Sequence, residues 1–110
     1  MDARLPAHLE VAAMIRRVQA EGGFAAVLGK GHPEAGTILV VTTENGANSR
    51  VFERMPQLDG TRNWSCSKEQ DPENKDNFSH YLERRKQQDP DLWIVELDIA
   101  QAERFIGTIC

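Results

Sequence analysis

The sequence predicts an α+β fold, an antiparallel sheet of four or five strands with helices packed mainly on one of its faces. The dipeptide Asn45-Gly46 separates two extended segments. It favours the type I′ turn of a β-hairpin, because that turn needs positive φ at both central residues. Four extended segments follow one another, and segments with helical periodicity stand before and after them. Runs of strands bracketed by helices are typical of such a sheet, and the predicted element order is α-β-β-β-β-α-β-α.

The first helix is predicted from Pro6 to Glu21. Proline is tolerated in the first turn of a helix, where its missing N–H has no partner to lose. Apolar Val11, Ile15 and Val18 recur at helical spacing and form one stripe. The glycine pair that follows can take positive φ, so it is a suitable end for the helix.

Four strands are predicted next, at Phe24–Leu28, Thr37–Thr43, Ser49–Met55 and Thr61–Ser67. The second is rich in β-branched residues and apolar on both faces, which is typical of a central strand. The third mixes charged and apolar residues and is predicted to be half-exposed. The fourth is the weakest of these predictions.

The second helix is predicted to start at Asp71-Pro72 and to end near Gln88. Aspartate is a good N-cap and proline fits the first helical position. Leu92–Leu97 is then predicted as the last strand, because its apolar residues alternate, and Ile99–Ile109 is predicted as a short C-terminal helix. We expect residues 1–110 to form a single domain.

The composition narrows the classes of function. The net charge is −4 and the sequence pI is about 5.3, which argues against nucleic-acid binding because such binding needs many basic side chains. Cys66 and Cys110 have neither the spacing of a zinc site nor the density of a disulfide scaffold. The N-terminus lacks the apolar core of a signal peptide, and no run is long enough for a membrane span. We therefore expect a cytoplasmic protein with no membrane association.

The glycine-rich link between the first two strands offers one candidate binding site. Lys30 and His32 lie in this link, and glycines allow successive N–H groups to face an anion. The Walker pattern is absent and a strand follows instead of a helix, so an ordinary turn is the alternative that the residues favour.

A second candidate site combines Arg50, Arg62 and Trp64. If the third and fourth strands pair, Arg62 and Trp64 share one face, and an arginine of the third strand can lie opposite them. A tryptophan surrounded by arginines is an anchor for a protein partner or an anionic ligand. Burial of Trp64 in the core is the alternative.

No catalytic or metal-binding pattern is visible in the sequence. The three histidines, His8, His32 and His80, lie far apart and lack ligand spacing. The aspartates Asp89 and Asp91 flank a proline, where aspartate is expected for its role in turns. We predict no cofactor and no metal, and we lean against an enzymatic activity.

Two blocks of the chain resemble a known family. Gly22–Leu28 reads Gly-Gly-Phe-Ala-Ala-Val-Leu and Asp89–Glu96 reads Asp-Pro-Asp-Leu-Trp-Ile-Val-Glu. Together with Lys30-Gly31 and Gly36, these blocks are similar to those of small proteins, chiefly from alphaproteobacteria, that form domain of unknown function family 1491. The resemblance covers nearly the whole chain. It implies a small cytoplasmic bacterial protein, and it implies no activity, cofactor or catalytic residue.

Three functions follow as hypotheses. The first is a protein-interaction module that can form a homodimer and that uses an exposed strand edge or an apolar patch involving Trp64, Trp93 or Phe105. The alternative is an enzyme or binder of a small anionic metabolite, whose pocket contains the five predicted site residues: Lys30, His32, Arg50, Arg62 and Trp64. A nucleic-acid module is the least favoured.

Overall fold

The computed structural model describes residues 6–56, 62–102 and 106, and it describes the backbone alone at residues 55, 56, 62 and 63. Two helices and five strands follow one another along the chain. They are α1 (Ala7–Ala20), β1 (Phe24–Gly29), β2 (Ile38–Glu44), β3 (Ala47–Pro56), β4 (Arg62–Glu69), α2 (Lys75–Gln88) and β5 (Trp93–Asp98). None of the helices in these described ranges is both long and apolar enough to cross a membrane.

Helix α1 begins where the sequence predicts, and the loop before β2 completes its first turn. The backbone N–H groups of Ala7 and His8 donate to the carbonyls of Glu34 and Pro33, at 3.1 and 2.9 Å. These N–H groups have no partner within the helix itself. No side chain caps the start of α1, so the loop carbonyls are the acceptors for these two N–H groups.

Helix α2 begins later than predicted, at Lys75 instead of Asp71-Pro72. The Asp71 carboxylate accepts the N–H of Glu73 at 2.9 Å, so it closes a short turn ahead of the helix. The predicted helix Ile99–Ile109 lies mostly outside the described residues. Its first residues form a turn, and Ile106 is helical and buried.

The α+β class and the five-stranded sheet are confirmed, but the sheet is mixed and not purely antiparallel. The strand order is β1-β5-β2-β3-β4. The pairs β1–β5, β2–β3 and β3–β4 are antiparallel, whereas β5 lies parallel to β2. The physical reason is that α2 carries the chain back across the sheet, and β5 enters between β1 and β2. Four consecutive buried residues, Leu92–Val95, are typical of a central strand that is covered on both faces.

The helices cover opposite faces of the sheet, so the prediction that they lie mainly on one face is wrong. On one face, α1 packs against Ile38 and Val40 of β2. On the other, Phe78 of α2 packs against Leu39 and Val41. Alternate residues of a strand point to opposite faces, and β2 is apolar at every one of these positions. Each face therefore needs its own helical cover.

The hairpin between β2 and β3 forms as predicted. Asn45 has φ +53° and Gly46 has φ +79°, the positive values that a type I′ turn requires. The N–H of Asn45 also donates to the carboxylate of Asp98 at 2.8 Å. The turn is therefore fixed to the end of the neighbouring central strand.

Candidate functional site

The outer edge of β1 is the least protected surface of the described chain. Among the described strands, β1 pairs only with β5, and it contains no charged residue from Phe24 to Gly29. Phe24 is 78% exposed, Leu28 51% and Val27 43%. Edge strands are normally protected by charges, prolines or bulges, because their free N–H and C=O groups can pair with another chain. A bulge between Val27 and Gly29 is the one such device within the described strand.

The apolar residues of β1 divide between the two faces of the sheet. Ala25 packs against the cluster under α1, so its neighbour Phe24 projects from the α2 face. Leu28 also lies on the α2 face, because it lines a groove together with Leu82 and Ile94. This groove has a volume of about 280 Å³ and carries Glu83 and Lys86 at its rim. We call Phe24, Leu28 and this groove the β1 edge surface.

Lys86 holds the β1–β2 loop against the start of β5. Its Nζ donates to the carbonyls of Leu92, Lys30 and Pro90, at 2.6, 2.7 and 3.1 Å. An ammonium group has three N–H donors, and here all three meet backbone acceptors. This residue fixes one wall of the β1 edge surface.

The predicted residues Lys30 and His32 lie in the β1–β2 loop, and both are exposed. The Nδ1 atom of His32 accepts the N–H groups of Glu34 and Ala35 at 3.2 and 3.1 Å. The N–H of His32 donates to the carbonyl of Asp91. The N–H groups of His32, Glu34 and Ala35 are therefore hydrogen-bonded within the protein.

The predicted residue Arg50 lies at the other end of the sheet. It lines a polar cavity of about 210 Å³ together with Glu44 and Glu69. The hydroxyl of Ser49, also in this cavity, donates to the Thr43 hydroxyl at 3.1 Å. Two carboxylates accompany the one guanidinium, so the local charge does not favour an anionic metabolite.

Trp64 packs against the core cluster under α1 and is half-buried. The guanidinium of Arg54, its direct partner on β3, lies 4.9 Å from the ring centroid. The same guanidinium donates to the buried carboxylate of Glu10 at 2.8 Å. The expectation that an arginine of the third strand lies opposite Trp64 is met by Arg54. The backbone of Arg62 pairs with Pro56, and its side chain lies outside the described residues.

The described members of the predicted site therefore occupy three separate places. Lys30 and His32 lie near the start of β5, Arg50 lies near its end, and Trp64 lies on the opposite edge strand. Along β5, the position near His32 and the position level with Arg50 are four residues apart, which is about 13 Å along a strand. Trp93, proposed from sequence as a surface contact, is buried with its indole N–H bonded to the carbonyl of His32 at 2.8 Å. Phe105 lies outside the described residues.

An ion pair fastens α2 to β3. Arg85 donates twice to the Glu53 carboxylate, at 2.9 and 3.1 Å, and once to the Tyr81 hydroxyl at 2.8 Å. These hydrogen bonds from Arg85 lower the pKa of Glu53, against the opposing effect of burial, and a hydrogen bond from Ser67 adds to the lowering. The bond to Glu53 raises the pKa of Arg85. Arg85 is thus bonded to β3 and to its own helix, so we assign this ion pair a role in stabilising the packing of α2 on the sheet.

The described residues contain no cluster of metal-ligating side chains. Within residues 6–56 and 62–102, no three histidine, cysteine or carboxylate side chains come together in a way that could hold an ion. The candidate site among the described residues is the β1 edge surface, which combines a strand edge with an apolar groove.

Comparison with known proteins identifies the family. The family model described as "Protein of unknown function (DUF1491)" matches residues 5–107. The chain belongs to the DUF1491 family. The resemblance drawn from the two sequence blocks is thereby confirmed.

Three solved structures resemble this DUF1491 protein. A crystal structure of a DUF1491 family protein from Caulobacter crescentus is 33% identical with a TM-score of 0.78, and it covers 93% of this chain and 94% of that one. An NMR structure of a DUF1491 family protein from the same organism is 33% identical with a TM-score of 0.77, covering 93% and 92%. A solution structure of a protein from A. tumefaciens is 32% identical with a TM-score of 0.72, covering 96% and 92%. No curated protein matches the chain.

Sequence reasoning anticipated an exposed strand edge as a contact but did not locate it. The signal was present, because Phe24–Leu28 is an uncharged segment that ends in two large apolar residues. Its meaning depends on topology. Only the insertion of β5 next to β1 shows that β1 ends the sheet.

Proposed function

We propose that this DUF1491 protein is a protein-interaction module that forms a homodimer by pairing the β1 strands of two copies. The observation that carries the proposal is the uncharged, open edge of β1 with Phe24 and Leu28 exposed beside it. A large exposed apolar residue on a bare edge indicates that the edge pairs with another strand.

A second copy of the chain is the occupant that the charges favour. The segment begins after Glu21 and ends before Lys30. When two copies pair antiparallel, the acidic end of one approaches the basic end of the other, and the uncharged strands meet between them. Opposite charges at the ends of a pairing fix its direction and register.

The proposed dimer has a two-fold axis perpendicular to the sheet. Antiparallel edge pairing of identical strands is isologous, because each copy contributes the same surface. The two sheets then join into one continuous sheet with β1 and its copy at the centre. We also propose a cytoplasmic location, because the two cysteines lack the density of a secreted disulfide scaffold.

The test is the oligomeric state of the wild type and of Ala26→Lys. Ala26 is exposed in the middle of β1, opposite Glu96 of β5. A lysine here is accommodated in the monomer next to that carboxylate, whereas two lysines repel each other across the proposed axis. Ala20→Lys is the matched control, because it makes the same change at an exposed position of α1.

Sedimentation velocity from low micromolar to near-millimolar concentration measures the result. We expect the wild type and Ala20→Lys to form dimers with the same dissociation constant, and Ala26→Lys to stay monomeric. A wild type that remains monomeric throughout this range refutes the proposal. So does an Ala26→Lys variant that dimerises as tightly as the wild type.

A further inference from the structure

We infer that Phe24 of each copy inserts into the apolar groove of the other copy, the groove formed by Leu28, Leu82 and Ile94. This inference rests on the proposed β1 dimer and specifies its register and its anchor. The starting observation is that Phe24 is 78% exposed, the most exposed of the large apolar residues in the described chain.

The proposed register centres the pairing on the run of β1 residues that carry an apolar side chain. Phe24–Leu28 is centred on Ala26. When two identical strands pair antiparallel, the residue numbers of each opposite pair add up to the same value. One residue therefore faces its own copy across the two-fold axis. With Ala26 on the axis, Phe24 of one copy lies opposite the bulge between Val27 and Gly29 of the other copy, next to Leu28, and apolar residues meet apolar residues along the segment.

The faces agree with this register. Phe24 projects from the α2 face because its neighbour Ala25 packs under α1. Leu28 lies on the same face, where it lines the groove. A two-fold axis perpendicular to the sheet keeps each face on its own side. The ring of Phe24 therefore meets the groove of the second copy, and the reciprocal contact forms at the same time.

The groove has suitable size and chemistry for an aromatic ring. Its volume is about 280 Å³, and a cavity of about 150 Å³ accepts benzene. Its floor consists of the aliphatic side chains of Leu82 and Ile94, and Ile94 is 4% exposed. Central aromatic anchors in apolar pockets carry most of the affinity of protein interfaces.

The register also brings charged residues of opposite sign together. When Ala26 lies on the axis, the turn before β1 of one copy, which contains Glu21, comes near the end of β1 of the other copy, which Lys30 follows. Both side chains are exposed in the single chain. Lys30 thus gains a role in orienting the dimer, which differs from the anion-binding role considered from sequence.

Two variants test the insertion, one from each side of the contact. Phe24→Ala removes the anchor, and Ser79→Phe fills the groove from α2, where Ser79 is exposed. The loss of one inserted phenylalanine corresponds to about tenfold in affinity, so two per dimer correspond to about 100-fold. Leu9→Ala is the control, because Leu9 is an exposed apolar residue of α1 that does not line the groove.

The dissociation constant is measured by sedimentation, and thermal unfolding confirms that each variant is folded. We expect Phe24→Ala to weaken the dimer about 100-fold, Ser79→Phe to weaken it at least tenfold, and Leu9→Ala to leave it unchanged. In a sample of mixed isotope labelling, nuclear Overhauser effects are expected between the Phe24 ring of one copy and the Leu82 and Ile94 methyl groups of the other.

The outcomes separate this inference from the proposed function. If Ala26→Lys abolishes the dimer while Phe24→Ala and Ser79→Phe leave it unchanged, β1 pairing stands and the insertion of Phe24 is refuted. If the wild type never dimerises, both fail. Absence of the intermolecular ring-to-methyl effects in a dimeric sample also overturns the insertion.

Discussion

Replacing Lys86 with methionine tests how much the hydrogen bonds from its ammonium group to three backbone carbonyls contribute to the free energy of unfolding. The Nζ atom donates to Leu92, Lys30 and Pro90, and the bond to Leu92 is partly buried while the other two are exposed. Methionine keeps the aliphatic stem, which lies beside Gly29 of β1. It also keeps a high helix propensity. Lys86→Met therefore removes the hydrogen bonds with little loss of packing.

The magnitude follows from the exposure of each acceptor. A hydrogen bond to a charged group contributes about 1.5 kcal/mol when it is partly buried, and exposed ones contribute a few tenths each. The sum predicts that Lys86→Met lowers the free energy of unfolding by about 2 kcal/mol. For a domain of this size the melting temperature then falls by about 8 °C.

Urea denaturation followed by tryptophan fluorescence measures this change. The slope of the free energy against urea should be unchanged, because the surface exposed on unfolding is the same. Lys75→Met is the matched control at the exposed first residue of α2. It should stay within about 0.5 kcal/mol of the wild type. A Lys86→Met variant as stable as this control shows that the three carbonyl contacts contribute nothing.

Two further predictions concern the ion pairs. Because hydrogen bonds from Arg85 lower the pKa of Glu53 in the folded state, this pair stabilises the protein above the unfolded pKa and the stabilisation is lost as pH falls through the folded value. Glu53→Gln should therefore lower the free energy of unfolding by about 1 kcal/mol at neutral pH, with a difference that disappears in acid, whereas a difference independent of pH contradicts the reasoning. Arg54→Met leaves the buried Glu10 carboxylate without its guanidinium, so it should cost about 2 kcal/mol by urea denaturation. Adding Glu10→Gln should recover most of that loss, and simple additivity of the two changes would refute the coupling.

Local chemistry explains why much of the fold is predictable. The positive φ of Asn45 and Gly46 and the apolar stripe of α1 depend on residues that are close in sequence. The parallel pairing of β2 with β5 joins Ile38 to Trp93, and no local signal encodes a partner so distant. The apolar continuity of both strands showed only that each is covered on two faces. Because β2 is apolar on both faces, a helix on each face of the sheet could have been expected from the sequence.

The candidate site was less predictable, for a related reason. Cross-strand register places Arg54 opposite Trp64, and the sequence indicated an arginine there without selecting which one. Lys30 and His32 suggested anion binding because glycines surround them. The structure uses the His32 ring and the loop N–H groups inside the turn, and such internal use is visible only when the loop is folded.

The position of β5 determines when the molecule can assemble. Strands β1 and β2 are consecutive in the chain, yet they are joined only through a strand that begins at Trp93. Until a ribosome has released that segment, β1 has no neighbour on either side and β2 lacks one of its two. The nascent polypeptide therefore carries unpaired β-strands through most of its synthesis, the interval in which chaperones protect such chains from aggregation.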